Sequence, residues 1–325
     1  MKLEIVKSYQ AVGANYAEGI TDFSVGLGLV RRVGHGGMVQ RFALTDLGRT
    51  YHAANRLDLS DYKHFILQFL VLQFDADVYG LLLDMALDHC LPSGKSLQKA
   101  FADRTHDLRH ERSDWLVKAF PNPQLRERLL TSNNRYTVPW IKNARGIKIE
   151  TESVGADFPR HHASPRRGWA VSLGHMDKDG HLSPKGRVAA EALRATNDRY
   201  FWLGPPQNWF ERLRVTPALI RKPLMPAWNL IRPSGISTEP IPSTLIHQVA
   251  EFMSHSYSHM RLIRANQAPL EAVRPYVYFL ESESLNYRVD ERMLFEQVFR
   301  QHAARFAPMS QRSGLLGYYQ QRTQK

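Results

Sequence analysis

The chain carries one local pattern twice, and a recurring pattern constrains the fold more than composition does. Phe42 to Leu57 reads FALTDLGRTYHAANRL, and Gly180 to Ala195 reads GHLSPKGRVAAEALRA. Aligned without a gap, the two agree at Leu44/Leu182, Thr45/Ser183, Gly48/Gly186, Arg49/Arg187, Ala54/Ala192 and Arg56/Arg194, giving L-[ST]-x-x-G-R-x-x-x-x-A-x-R. Thr45 and Ser183 have side chains that accept from the open N–H groups of a helix start. Pro184 follows the second at the first helical position, where a missing N–H costs nothing. Each copy is therefore expected to be a strand running into a helix.

The flanking residues extend the parallel. Leu29 to Val33 and Met38 to Leu44 have strand composition around the turn-forming His35-Gly36-Gly37, which predicts a β-hairpin. Trp169 to Met176 and His181 to Leu182 flank Asp177-Lys178-Asp179-Gly180, whose closing Asp-Gly is a strong turn signal, and predict a second hairpin. Tyr16, Ile20, Phe23 and Leu27 fall at helical spacing before Gly28, so a helix feeds the first hairpin.

Helix, hairpin and cap-Gly-Arg helix is the order found in the carboxyl half of a winged helix-turn-helix domain. GLVRR…FALTDLGR resembles the leucine-threonine-x-x-glycine-arginine wing exit common in bacterial winged-helix DNA-binding proteins. The resemblance is at the level of fold and covers roughly residues 1–57 and, less clearly, 97–195. It implies a mainly α chain with small β-hairpins (α+β), made of tandem winged-helix domains plus a helical carboxyl-terminal unit. In the second domain Arg135 to Lys148 would stand where the recognition helix belongs, although Pro139 interrupts it, and Glu150 to Gly168 would be an inserted loop.

Asp61 to Phe74 and Val78 to Cys90 are apolar at helical spacing and predict a helix pair around Asp75-Ala76-Asp77. Leu91-Pro92-Ser93-Gly94 breaks the pattern, and charged helices follow from Leu97 to Leu130. After Tyr200 a Pro- and Trp-rich stretch reads as an extended connector. Helices are expected at Ser243 to Ala265 and Asp290 to Phe306, while GLLGYYQQ near the end fits a strand or a loop. The resulting domains are 1–92, 93–200 and 201–325.

Charge decides the partner class. The chain has 325 residues, with 43 Lys+Arg against 31 Asp+Glu, a net +12 that attracts polyanions. Most of the cations are arginine, which makes bidentate contacts to phosphate and guanine. Double-stranded DNA is the expected partner, bound without catalysis and with no cofactor. The candidate contacts on the first hairpin are Arg31, Arg32, His35 and Arg41, beside a Gly-rich tip that permits close backbone approach. Those of the second domain are Arg135, Lys142, Arg145, Lys148, Arg160, Arg166, Arg167 and Lys178, with His161 and His162 among them. An adaptor that docks protein partners of a multi-subunit complex through the apolar helix pair stays open as the alternative, and a metal-dependent nuclease ranks third.

Other chemistry is thin. Cys90 is the lone cysteine, which excludes an intrachain disulfide or a cysteine-cluster metal site and points to a reducing, cytoplasmic setting. It reads as a small buried thiol. No apolar run is long enough to span a bilayer. His255 and His259 have the i, i+4 spacing of a metal pair, but nothing completes the site. Glu281-Ser282-Glu283 after YVYFL has the carboxylates of a metal nuclease without its other groups, and reads as a solvated strand end or helix start.

Overall fold

The computed structural model describes residues 28–33, 41–74, 76–104, 107, 122–124, 127, 157–195, 228–310 and 316–322. Those of Met1–Leu67 and Arg232–Lys325 pack as one unit, and those of Gln68–Ile231 as another. The division does not fall at 92 and 200: the amino-terminal module shares its unit with the carboxyl-terminal residues. Both units are mainly helical, and among the described residues no helix is long and apolar enough to cross a membrane.

The first unit begins with an antiparallel hairpin, β1 (Val30–Val33) and β2 (Arg41–Leu44), in the register Val30↔Leu44 to Val33↔Arg41. Helix α1 (Asp46–Arg56) follows, with Thr45 as its N-cap, accepting from the Gly48 N–H at 3.0 Å. Helix α2 (Ser60–Phe74) leaves this unit after Leu67. The chain returns at Arg232 to form α7 (Ser243–Met260), which packs on α1. A short strand β3 (Ala268–Pro269), α8 (Arg274–Leu280), α9 (Glu291–Gln301), β4 (Phe306–Ser310) and β5 (Leu316–Gln321) complete it.

An aromatic cluster holds these helices together. Tyr276 stacks on Phe252 with centroids 4.0 Å apart, and Tyr62 meets both rings edge-on at 5.1 and 5.5 Å. Burying each such ring contributes about 2–3 kcal/mol, and edge-to-face pairing adds up to about 1 kcal/mol. The Tyr62 hydroxyl finds its partner in Thr50 of α1, so the cluster also fixes that helix.

The carboxyl-terminal part is not purely helical. GLLGYYQQ supplies β5, the central strand of an antiparallel sheet ordered β3-β5-β4. Its alternation decides the matter: Gly317 and Tyr319 are buried between half-exposed neighbours. The Tyr319 hydroxyl donates to the Met253 carbonyl at 3.0 Å and ties the sheet to α7.

In the second unit α3 (Ala76–Asp88), residues 94–104, α4 (Asp157–Ser172), α5 (Pro184–Ala195) and α6 (Trp228–Ile231) are helical. The expected inserted loop at Glu150 to Gly168 is corrected here. Residues 157–168 belong to α4, which runs through Pro165 to Ser172, so Trp169 is helical rather than in a strand. The second hairpin shrinks to a single Met176↔Leu182 bridge. Phe69 stacks on Trp228 at 3.6 Å, and Tyr79, Leu82 and Leu83 are fully buried. The expected feeding helix at Tyr16 to Leu27, most of Leu97 to Leu130 and most of the connector after Tyr200 lie outside the described residues.

Candidate nucleic-acid interface

The two copies of the motif build the same junction. A glycine with positive φ turns the chain, Gly28 at 67° and Gly174 at 72°, a conformation that glycine adopts without steric cost. The hydroxyl of Thr45 donates to the Gly28 carbonyl, and that of Ser183 donates to the Gly174 carbonyl at 2.6 Å. The backbone N–H of the same residue donates one step further along, Thr45 to Leu29 at 3.1 Å and Ser183 to His175 at 3.0 Å. The hydroxyl oxygen then accepts from the third helical N–H, Gly48 or Gly186, each at 3.0 Å. One side chain thus joins the segment before the hairpin to the helix after it. The glycine of the motif permits this closeness, because a Cβ on either would stand 1.9 Å from a backbone oxygen.

The motif arginines diverge. Arg49 is 17% exposed in its side chain and bonds the carbonyls of Met260 and Arg261, each at 3.3 Å, at the end of α7. A cation there complements the negative end of the helix dipole. Its guanidinium is pulled below the ordinary arginine range, first by burial and further by the nearby charge of Arg31, with Asp46 opposing. Arg187 instead lies on the surface, 3.9 Å from Glu191.

Of the first hairpin's expected contacts, Arg31 is exposed on β1 opposite Ala43, Arg32 holds the position opposite Phe42, and Arg41 that opposite Val33. Strand alternation assigns positions 31 and 41 to one face of the ladder and 32 to the other. His35 lies outside the described residues.

In the second unit the helix directly before the turn is α4, carrying Arg160, His161, His162, Arg166 and Arg167. Arg166 lies over the Trp169 ring at 5.2 Å. Arg167 reaches forward and donates to the Lys178 carbonyl at 2.6 Å. The turn is gripped from the other side as well: Leu91 N–H donates to Gly180 O at 3.0 Å, and the Cys90 thiol to Asp179 O at 2.9 Å. Lys178 is exposed between two aspartates on a pinned turn, unlike the tip of a free wing. Arg135, Lys142, Arg145 and Lys148 lie outside the described residues.

His175 occupies the place in this junction that Leu29 has in the other. Its ring is fully buried, with Nδ1 2.7 Å from the Tyr79 hydroxyl and Nε2 without a partner. Burial, with a smaller push from Lys185, lowers its pKa to about 4, so the ring stays neutral at pH 7.

The other candidates resolve into structure. Glu281 is neither solvated nor at a strand end: it continues α8 and is 0% exposed. It accepts two bonds from Arg232 at 2.8 Å and one from the Val289 N–H at 2.9 Å. The Arg232 guanidinium lies 3.6 Å above the Tyr278 ring. His255 lies 3.9 Å from Glu251, whereas His259 meets the His52 ring, so the two imidazoles do not converge. Among the described residues no group of three metal-ligating side chains forms. Cys90 is exposed rather than buried. The apolar helices expected as a docking surface bury their large side chains within the chain, Tyr62, Ile66 and Leu70 on α2 and Tyr79, Leu82 and Leu83 on α3.

Sequence reasoning missed a set of arginines in the first unit. Arg261, Arg305 and Arg322 line one groove, and Arg264 is exposed on the adjoining turn beside Ile263, which is 94% exposed. They are far apart along the chain, so no local signal groups them; only the packing of β5 against α7 does. No family model matches the chain, and neither do any curated protein or solved structure.

Proposed function

We propose that the chain binds double-stranded DNA without catalysing a reaction on it, as a cytoplasmic regulator or as the DNA-engaging subunit of a larger assembly, through two winged-helix-like modules. The observation that carries this reading is a run of arginines on the first unit. Arg31 is exposed on β1, and Arg261, Arg264 and Arg322 are exposed on the same unit. A surface that carries these cations attracts a polyanion, and duplex DNA presents a phosphate charge about every 1.7 Å along its axis.

The repeated junction supports the same reading. It ties the turn before the β-bridged segment to the helix that follows, around a hairpin in the first unit and a single Met176↔Leu182 bridge in the second, where a basic helix precedes it in the place of a winged helix's groove-reading element. The roles then divide. Arg31, Arg32 and Arg41 are assigned to phosphate and α4, which carries Arg160 and Arg166, to the groove, while Arg167 holds the turn rather than the DNA. The large side chains of the apolar helices are buried within the chain, which favours the DNA reading over an adaptor that docks through them.

The test is fluorescence anisotropy on a labelled duplex across a salt series. R31Q/R32Q/R41Q is expected to bind more weakly, with the slope of log affinity against log salt reduced by roughly 0.9 per lost contact. Circular dichroism checks that the variant is folded. A folded variant with wild-type affinity and slope overturns the proposal.

A further inference from the structure

The groove beneath the three arginines has the composition of an anion site. Its volume is about 730 Å³, and its walls are α7, the turn after it, the turn after α9 and the end of β5. No carboxylate lines it. Arg305 is neutralised by Glu251, which is not a lining residue. Among the described residues neither Arg261 nor Arg322 has an acidic partner, and both are exposed.

The neutral groups are arranged to donate. Tyr257 donates to the Asn266 carbonyl, and Arg261 to the Asn266 side-chain oxygen at 3.0 Å. Asn266 is held in the left-handed region at φ 50°, and its amide NH2 is left for a ligand. Gln321 occupies the Ser254 oxygen at 3.0 Å, so the Ser254 hydroxyl hydrogen is also left to donate. Two unneutralised guanidinium groups, an amide and a hydroxyl around one concavity match an acceptor-only ligand with several oxygens, which is a phosphate.

We infer that this groove, framed by Arg261, Arg322, Asn266 and Ser254, binds phosphate groups of a nucleic-acid backbone and extends the contact that begins at Arg31. The inference rests on the DNA reading above for its ligand, while the anion site itself rests on the groove alone. The Arg49 bond to the Arg261 carbonyl ties α1, the helix that follows the hairpin, to the turn that frames the groove.

Two measurements on the full chain test it, with R261Q/R322Q as the variant and R261K/R322K as the charge-retaining control. Inorganic tripolyphosphate is expected to raise the wild-type melting temperature, to have no effect on R261Q/R322Q and to regain its effect on R261K/R322K. On duplex DNA, R261Q/R322Q is expected to lose roughly 1.8 from the salt slope, two contacts at about 0.9 each. No tripolyphosphate shift in the wild type overturns the anion site. A shift that is lost in R261Q/R322Q, with the duplex slope unchanged, overturns the backbone ligand and makes the groove a site for a free polyphosphate. Should the wild type bind no duplex at all while the tripolyphosphate arm behaves as expected, the DNA reading falls and the anion site stands.

Discussion

Gly186 lies against the carbonyl of His175 so closely that a Cβ on it would stand 1.9 Å from the oxygen. A backbone oxygen cannot rotate away as a side chain can, so the whole junction must open to admit a methyl group. Gly186→Ala and Gly48→Ala are each expected to cost about 3 kcal/mol, the upper range for overpacking. Gly168→Ala, in α4 with nothing within 4 Å, is expected to be neutral or stabilising by up to about 1 kcal/mol. Urea denaturation of the three variants checks this, and equal midpoints for all of them would remove the meaning given to the motif.

The capping hydroxyls should be worth more than ordinary N-caps, because each both accepts from the helix and donates to the glycine before the hairpin. Thr45→Ala and Ser183→Ala are expected to lose about 2 kcal/mol each, where a simple cap loses about 1. Thr45→Ser and Ser183→Thr should recover most of it. Thermal unfolding followed by circular dichroism reads the difference.

Acid should weaken the second unit through His175. Its folded pKa, about 4, lies below the unfolded value of about 6.5, so the unfolded chain takes up a proton that the folded chain refuses. Stability is full above about pH 6.5, falls as pH drops from there to about 4, and loses no more from this group below that, for a total of about 3 kcal/mol. His175→Leu, which installs the residue found at Leu29, is expected to remove this part of the pH dependence. A stability profile between pH 4 and 7 that is the same in the variant would show that the ring does not govern it.

Glu281 and Arg232 should be far more costly to separate than to delete together. Glu281→Leu leaves a mostly buried guanidinium with only the more distant carboxylate of Glu291, at 3.6 Å, and Arg232→Met leaves a carboxylate that burial already pushes above the ordinary range. Each single change is expected to cost about 3–5 kcal/mol, and the double variant clearly less than their sum. Glu283→Ala, on an exposed side chain, should stay within about 0.5 kcal/mol. Additive losses would mean that the pair does not act as a unit.

Legibility from sequence followed locality. The junction was readable because cap, glycine and preceding turn fall close together, and Thr45 with Gly48 or Ser183 with Gly186 carry their geometry in their types. The end of the chain was less so. GLLGYYQQ becomes a central strand only because β3 and β4 flank it, and Glu281 is buried only because Arg232 reaches it from 49 residues away. Charge composition pointed to a polyanion, yet the arginines of the groove converge through tertiary packing that no spacing encodes. Cys90 was misread because the sequence could not show that its helix ends at the surface beside Asp179.

The excursion of the chain between Leu67 and Arg232 sets an order of events in its synthesis. Helix α1 emerges early, but α7, against which it packs, is not made until the whole second unit has been synthesised. At roughly 5–20 residues per second, the first module waits about ten to thirty seconds with its packing face uncovered, while the residues of the second unit are made in one continuous stretch. A chain stopped near Ile231 would therefore carry an orphaned module without the helix it packs on, a natural substrate for chaperones and proteases. The same interruption makes the amino-terminal module a part of the molecule that cannot be tried alone.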